Sequence, residues 1–163
     1  MRRIILFIAS SLDGFIARKD GGLDWLFSDG DYGFSRFFAS VDTVVMGRKT
    51  WQVAQALGDS FQGKKVYVFS RRKKGMTFSA QPAPLCRKLR KGHGKDIWLV
   101  GGGEIAATLL DAKLVDRIIL SVHPVILGEG IPLTKRLGSD VPLRLLSTRR
   151  FPSGLVQLTY KVR

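Results

Sequence analysis

Three short segments place glycine, hydroxyl and basic side chains where a chain could grip an anion. Gly47-Arg48-Lys49-Thr50 follows the apolar run Thr43–Met46, Ser70-Arg71-Arg72 follows Lys65–Phe69, and Gly101-Gly102-Gly103-Glu104-Ile105 follows Ile97–Val100. In the first, Gly47 permits a tight turn into a helix whose N–H groups can receive an anion; Arg48 and Lys49 add charge and Thr50 a hydroxyl. In the second, Ser70 and Arg71 suit a phosphate monoester, and an arginine beside an adenosine ribose favours a 2′-phosphorylated dinucleotide. In the third, consecutive glycines let backbone approach backbone, or a ligand, without interference from Cβ. This third segment is not the G-x-G-x-x-G fingerprint, because Ala106 fills its last position, and no Gly-Lys-Ser/Thr follows to make a phosphate loop. Each segment alone also fits an ordinary turn. Together, all at predicted strand ends, they read as one anion-binding edge.

Two carboxylates have a choice of roles. Asp13, in Leu12-Asp13-Gly14, suits a turn or a loop that holds a substrate. Asp31 precedes Tyr32, Phe34, Phe37 and Phe38, and on the residues alone suits a helix N-cap. Trp25 stands in a loop where it could cover a substrate, whereas Trp51 and Trp98 read as core or pocket wall. The two histidines, His93 and His123, are far apart, and the one cysteine, Cys86, excludes an internal disulfide. No spacing suits a metal, so none is expected.

These groups need a scaffold, and the chain spells one. Strand-like runs cover Arg3–Ser10, Thr43–Met46, Lys65–Phe69, Ile97–Val100 and Arg117–Val122, and two more, Leu143–Phe151 and Leu155–Val162, form a hairpin about Pro152-Ser153-Gly154. Helices fit Tyr32–Ala39, Lys49–Leu57, Ala83–Lys91 and Ala106–Leu110. The alternation predicts one α/β domain over residues 1–163, with a mixed, mostly parallel sheet of about eight strands and an antiparallel edge. Ligands of such sheets bind beyond the carboxyl ends of the strands.

With 27 Lys+Arg against 13 Asp+Glu the net charge is +14, partly clustered in Arg71-Arg72-Lys73-Lys74 and Arg87-Lys88-Leu89-Arg90-Lys91. Such a surface attracts polyanions, nucleic acid included, but no recognition helix or RNA-binding sheet motif accompanies it, so nucleic-acid binding is expected to be non-specific if present. The apolar runs are too short to span a bilayer, and the opening Arg2-Arg3 lacks a cleavage site after its apolar run; a cytoplasmic protein is expected.

Met46-Gly47-Arg48-Lys49-Thr50-Trp51, Val68-Phe69-Ser70-Arg71 and Val100-Gly101-Gly102-Gly103-Glu104-Ile105 resemble, in order, the cofactor motifs of dihydrofolate reductases. Ser11-Leu12-Asp13-Gly14-Phe15-Ile16-Ala17 and the stretch His123–Leu133 resemble more closely the reductase domain of bifunctional riboflavin-biosynthesis deaminase-reductases and its free-standing relatives. The resemblance spans essentially the whole chain and implies a three-layer dihydrofolate-reductase-like fold, NADPH as cofactor and a homodimer. It also implies a small heterocyclic substrate, either a dihydropterin or a ribosylaminopyrimidine. It assigns Gly47, Arg48, Lys49 and Thr50 to the pyrophosphate and 2′-phosphate, and Ser70 and Arg71 to the 2′-phosphate side. Gly101 and Gly102 would lie beneath the cofactor, Gly103, Glu104 and Ile105 would open the pyrophosphate-facing helix, and Ala9 and Ile16 would flank the nicotinamide. Counting back from Gly47 puts Asp31 at the ring-binding carboxylate of dihydrofolate reductases, with Asp24 and Asp13 as competitors; Asp24, Trp25 and Phe34 fall on the substrate side. The zinc motif of the deaminase half is missing. A module that binds NADPH without catalysis remains the alternative.

Overall fold

Along β1 (Ile4–Ser11), consecutive apolar side chains must find partners on both faces, as in a strand covered on two sides. Ile4 and Leu6 enter one buried cluster, and Ile5 and Phe7 enter another on the opposite face. The computed structural model describes residues 1–58, 61–72 and 78–163. After β1 come β2 (Phe15–Ala17), α1 (Phe34–Ser40), β3 (Val41–Gly47), α2 (Arg48–Ala56), β4 (Lys65–Phe69) and β5 (Phe78–Ser79). Then follow α3 (Pro82–Lys91), β6 (Asp96–Gly101), α4 (Gly103–Asp111), β7 (Arg117–His123), β8 (Ile131–Pro132), β9 (Leu143–Arg150) and β10 (Val156–Val162).

Eight strands make one sheet in the order β5-β4-β3-β6-β1-β7-β10-β9, while β2 and β8 pair separately as a small antiparallel sheet. All neighbours are parallel from β5 to β7, and β10 runs antiparallel to both β7 and β9. From β1 the chain steps outward to β3, β4 and β5, returns to insert β6 between β3 and β1, and crosses to β7 on the other side. Ligands of open α/β sheets bind beyond the carboxyl ends of the strands at such a reversal, here those of β3, β6 and β1. The mixed sheet and terminal hairpin match the expectation; the second small sheet is additional to it.

Two apolar layers hold the helices. Cys86 of α3 and Ala106, Leu109 and Leu110 of α4 pack on Ile4, Leu6, Val45, Ile97 and Leu99. Phe37 of α1, with Trp51 and Ala54 of α2, packs on Ile5, Val44, Met46, Val68 and Trp98. Each fully buried Leu or Ile of this kind contributes about 1.5–3 kcal/mol. Helix α3 starts on Pro82 and carries Lys88, Arg90 and Lys91 in its last turn, where positive charge suits the helix dipole. The Cys86 thiol is buried and pushed up to about 12, which makes it an inert core residue.

The opening basic pair has a structural explanation. Arg2 is buried, donating to the Lys95 carbonyl at 2.5 Å and to Thr43 Oγ1 at 2.7 Å, and it pairs with Asp42. Among the described residues no helix is long and apolar enough to cross a membrane.

Candidate functional site

Strand register brings the three anion-binding turns into one line. Gly47 at the end of β3 is opposite Phe69 of β4 on one side, and its neighbour Met46 is opposite Gly101 of β6 on the other. A Cβ built on Gly47 would lie 3.2 Å from Ile105 Cγ1 and 3.8 Å from the Gly101 oxygen. One built on Gly102 would lie 3.4 Å from Thr50 Oγ1 and 3.9 Å from Ile16 Cδ1. The β2 strand, the first turn of α2 and the β6–α4 turn therefore meet around bare backbone.

Two helices begin there, and neither has a side-chain cap: α2 starts after Gly47 and α4 after Gly102. Their first-turn N–H groups have no intrahelical acceptor and carry the positive ends of two dipoles. Arg48 and Lys49 stand on the first turn of α2, where Arg48 donates weakly to Gln52 at 3.4 Å. Ser70 is buried after β4, its N–H donating to the Ser79 carbonyl at 2.8 Å and its Oγ accepting from Arg72 N–H at 3.2 Å. Arg71 beside it is exposed, while Lys73 and Lys74 lie outside the described residues.

Backbone geometry explains the glycine run. Gly101 has φ +132, in the region where a side chain is strained, and the Gly101–Gly102 peptide is cis. At Gly103 an added Cβ would lie 2.7 Å from the Pro132 carbonyl oxygen and 3.2 Å from that of Leu133. Leu133 N–H in turn donates to the Gly14 carbonyl at 2.9 Å. The late loop thus seats the small β2–β8 sheet against the start of α4. Glu104 faces outward, 3.3 Å from Lys135 Nζ, and Ala9 lies in β1 opposite Ser121 of β7.

The carboxylates are placed apart from one another. Asp13 accepts from Ser11 Oγ at 2.7 Å, Leu127 N–H at 3.1 Å and Gly128 N–H at 2.7 Å, and the Ser11 hydroxyl leads these donors in holding its carboxyl below the usual range. Asp13 therefore ties the β1–β2 turn to the late loop. Asp31 accepts from the Ser35 hydroxyl at 2.5 Å, Ser35 N–H at 2.9 Å and Gly33 N–H at 3.1 Å; the Ser35 hydroxyl leads these donors in lowering its carboxyl, and they tie it to the first turn of α1, whose cap position is Gly33. The expected helix from Tyr32 accordingly begins at Phe34, because Tyr32 and Gly33 have positive φ inside this turn. Asp24 is an exposed partner of Arg18, and Phe34 leans edge-on against Phe7 and Trp98, partly exposed.

Trp25 is 8% exposed, packed edge-on against His123 with ring centres 5.2 Å apart, and its Nε1–H is buried without an acceptor among the described residues. His123 sits at the end of β7, opposite Ser11 of β1. Its Nε2 accepts from Phe27 N–H at 3.2 Å and its Nδ1 lies 3.3 Å from the Ser121 carbonyl, the pattern of a neutral ring protonated at Nδ1. Burial lowers its pKa. Sequence reading missed this anchor for residues 24–27; a lone histidine 96 positions from its hydrogen-bonding partner carries no local signal. Because the unfolded chain takes up a proton near pH 6.5 before the buried ring does, stability is expected to be full above that pH and to fall as pH drops below it. Denaturant midpoints at about pH 7.5 and about pH 5.5 check this, and His123→Gln should flatten the difference.

The model for the RibD C-terminal domain matches residues 2–157. The chain belongs to that family. Uncharacterized protein YyaP of Bacillus subtilis is 39% identical over 98% of this chain and 94% of its own length, and YwjB of the same organism is 39% identical over 98% and 97%. A riboflavin-biosynthesis-type protein from Shewanella sp. PV-4 superposes with TM-score 0.81 at 27% identity, covering 99% of both chains. The deaminase/5-amino-6-(5-phosphoribosylamino)uracil reductase of Thermotoga maritima superposes with TM-score 0.77 at 17% identity, covering 99% of this chain and 57% of that one. Members of the RibD C-terminal family share the dihydrofolate-reductase-like layout described above, here as a chain without a zinc-ligand cluster among its described residues.

Proposed function

We propose that the protein is an NADPH-dependent reductase of a small heterocyclic substrate, of the ribosylaminopyrimidine or dihydropterin type. The observation that carries this reading is the alignment of three turns beside two uncapped helix starts, with Arg48, Lys49, Ser70 and Arg71 around them. The residues fit a dinucleotide: bare glycine backbone for close approach, free N–H groups for a pyrophosphate, and Ser70 with Arg71 for a 2′-phosphate. Glu104 and Ile105 would frame the pyrophosphate helix, and Ala9 and Ile16 the nicotinamide face. When bound, NADPH would supply a hydride to an electrophilic carbon of the substrate, and water the accompanying proton.

The protein's own contribution is placement and exclusion of water. In this reading Trp25 bounds the substrate side, with Phe34 as a further apolar wall. Asp13 and Asp31 act chiefly by fixing loops, and Asp24 by holding Arg18. Activity would appear as loss of nicotinamide absorbance with a ribosylaminopyrimidine or a dihydropterin. Saturable cofactor binding without turnover of either class would instead support the non-catalytic module.

We also propose a homodimer. Leu143 and Leu145 of β9 are 40% and 51% exposed and are opposite Val162 and Tyr160, on the α3–α4 side of the edge strand. Sedimentation is expected to show a dimer that Leu145→Glu converts to monomer; a wild-type monomer at micromolar concentration would refute it.

A further inference from the structure

The far end of the sheet carries a second concentration of positive charge, remote from the turns at the carboxyl ends of β3, β4 and β6. Lys161 of β10 pairs in register with Arg117 of β7 on one side and Arg144 of β9 on the other. Directly opposed residues share a sheet face, so three cations project side by side, an arrangement that like-charge repulsion disfavours. None of the three has an ion-pair or hydrogen-bond partner for its side chain among the described residues. Lys113 and Arg163, also unpaired, join them around a cavity of about 490 Å³. The carboxylate in its wall, Asp116, is already engaged by Arg90 at 2.7 Å and by Ile4 N–H at 2.7 Å. Arg3, at the rim, is paired with Asp96.

We propose that this cavity is a binding site for a compact polyvalent anion, an oligophosphate group, held by Arg117, Lys161, Arg144, Lys113 and Arg163. A bound oligophosphate would relieve the repulsion among the five cations and supply the acceptors their N–H groups lack. The remaining wall is aliphatic, from Val115, Leu146 and Val162. It offers no aromatic platform on which the bases of a single strand could stack, so the site favours a small anion over nucleic acid. It opens at the amino ends of β1 and β7, leaving the carboxyl ends of the strands free to act at the same time.

Calorimetric titration of the full chain with inorganic tripolyphosphate, at constant near-physiological ionic strength, tests this. Arg117→Gln/Lys161→Gln is expected to weaken binding by about tenfold or more, the equivalent of losing at least one charge-assisted contact. Arg87→Gln/Lys88→Gln on α3, which removes the same charge from residues outside the cavity wall, is expected to change it by less than about twofold. Arg48→Gln/Lys49→Gln removes any second binding event at the cofactor turns and is expected to leave binding at the cavity intact; loss of all tripolyphosphate binding in that variant would overturn the proposal. The exposed Arg144→Gln repeats the test with a milder change, and thermal melting of each variant confirms its fold. Equal losses in the α3 control would reduce the effect to diffuse attraction and overturn the proposal. So would unchanged binding in both cavity variants, or an oligonucleotide that displaces tripolyphosphate with affinity growing with strand length.

Discussion

Replacing Gly103 with alanine is expected to destabilise the folded chain by about 2–3 kcal/mol, the cost of overpacking a site that cannot give. The new methyl group would meet two backbone oxygens, Pro132 at 2.7 Å and Leu133 at 3.2 Å, rather than the end of a flexible side chain. Those oxygens are held in place: Leu133 N–H bonds Gly14 at 2.9 Å, and Lys135 N–H bonds the Gly103 carbonyl itself at 3.3 Å. Relief would therefore have to come from moving the start of α4 or unseating the β2–β8 sheet. Either movement displaces Gly102 from Thr50 and Ile16, so cofactor affinity should fall together with stability. Gly138→Ala is the control, since its Cβ would meet nothing nearer than 3.6 Å, and it should stay within about 0.5 kcal/mol of wild type. Urea unfolding midpoints measure both.

Arg71→Ala is expected to lower NADPH affinity by roughly 10- to 100-fold while leaving NADH affinity nearly unchanged. The magnitude is that of one charge-assisted hydrogen bond to a phosphate, and the selectivity follows because NADH carries nothing at that position for Arg71 to meet. Ser70, beside it, is buried and its hydroxyl already receives the Arg72 N–H at 3.2 Å. Ser70→Ala should accordingly alter the turn as well as the contact, which makes Arg71 the cleaner probe. Fluorescence titration of both cofactors against both proteins reads the difference. Equal losses for NADPH and NADH would move Arg71 from the 2′-phosphate to a general role in the site.

Much of this architecture was legible because long strands and strand-end glycines carry local signals. All seven expected strands are present, with ends displaced by no more than a residue or two. β2, β5 and β8 were not foreseen, since two or three residues show no period and β8 contains Pro132. Apolar periodicity places the start of α4 at Ala106, because glycine scores poorly for helix, whereas the resemblance opens it at Gly103, where it begins and is held by packing against the late loop. The three anion-binding turns were readable one by one, but their alignment is a matter of register, which depends on tertiary pairing. The carboxylates show the reverse limit. A structural aspartate and a ligand-binding aspartate look alike in sequence, and the Ser35 and Gly33 donors that hold Asp31 lie in a turn that no local pattern announces. The Trp25–His123 contact and the Arg117–Lys161–Arg144 row join distant segments, so no local pattern announces them.

Titration of the wild-type protein with NADPH and with NADH, at near-physiological salt and followed by cofactor fluorescence, tests the dinucleotide site without any substitution. Saturable binding of one NADPH per chain, with clearly weaker NADH binding, is the predicted result. Absence of saturable binding for either cofactor would contradict a dinucleotide site at the β3, β4 and β6 strand ends.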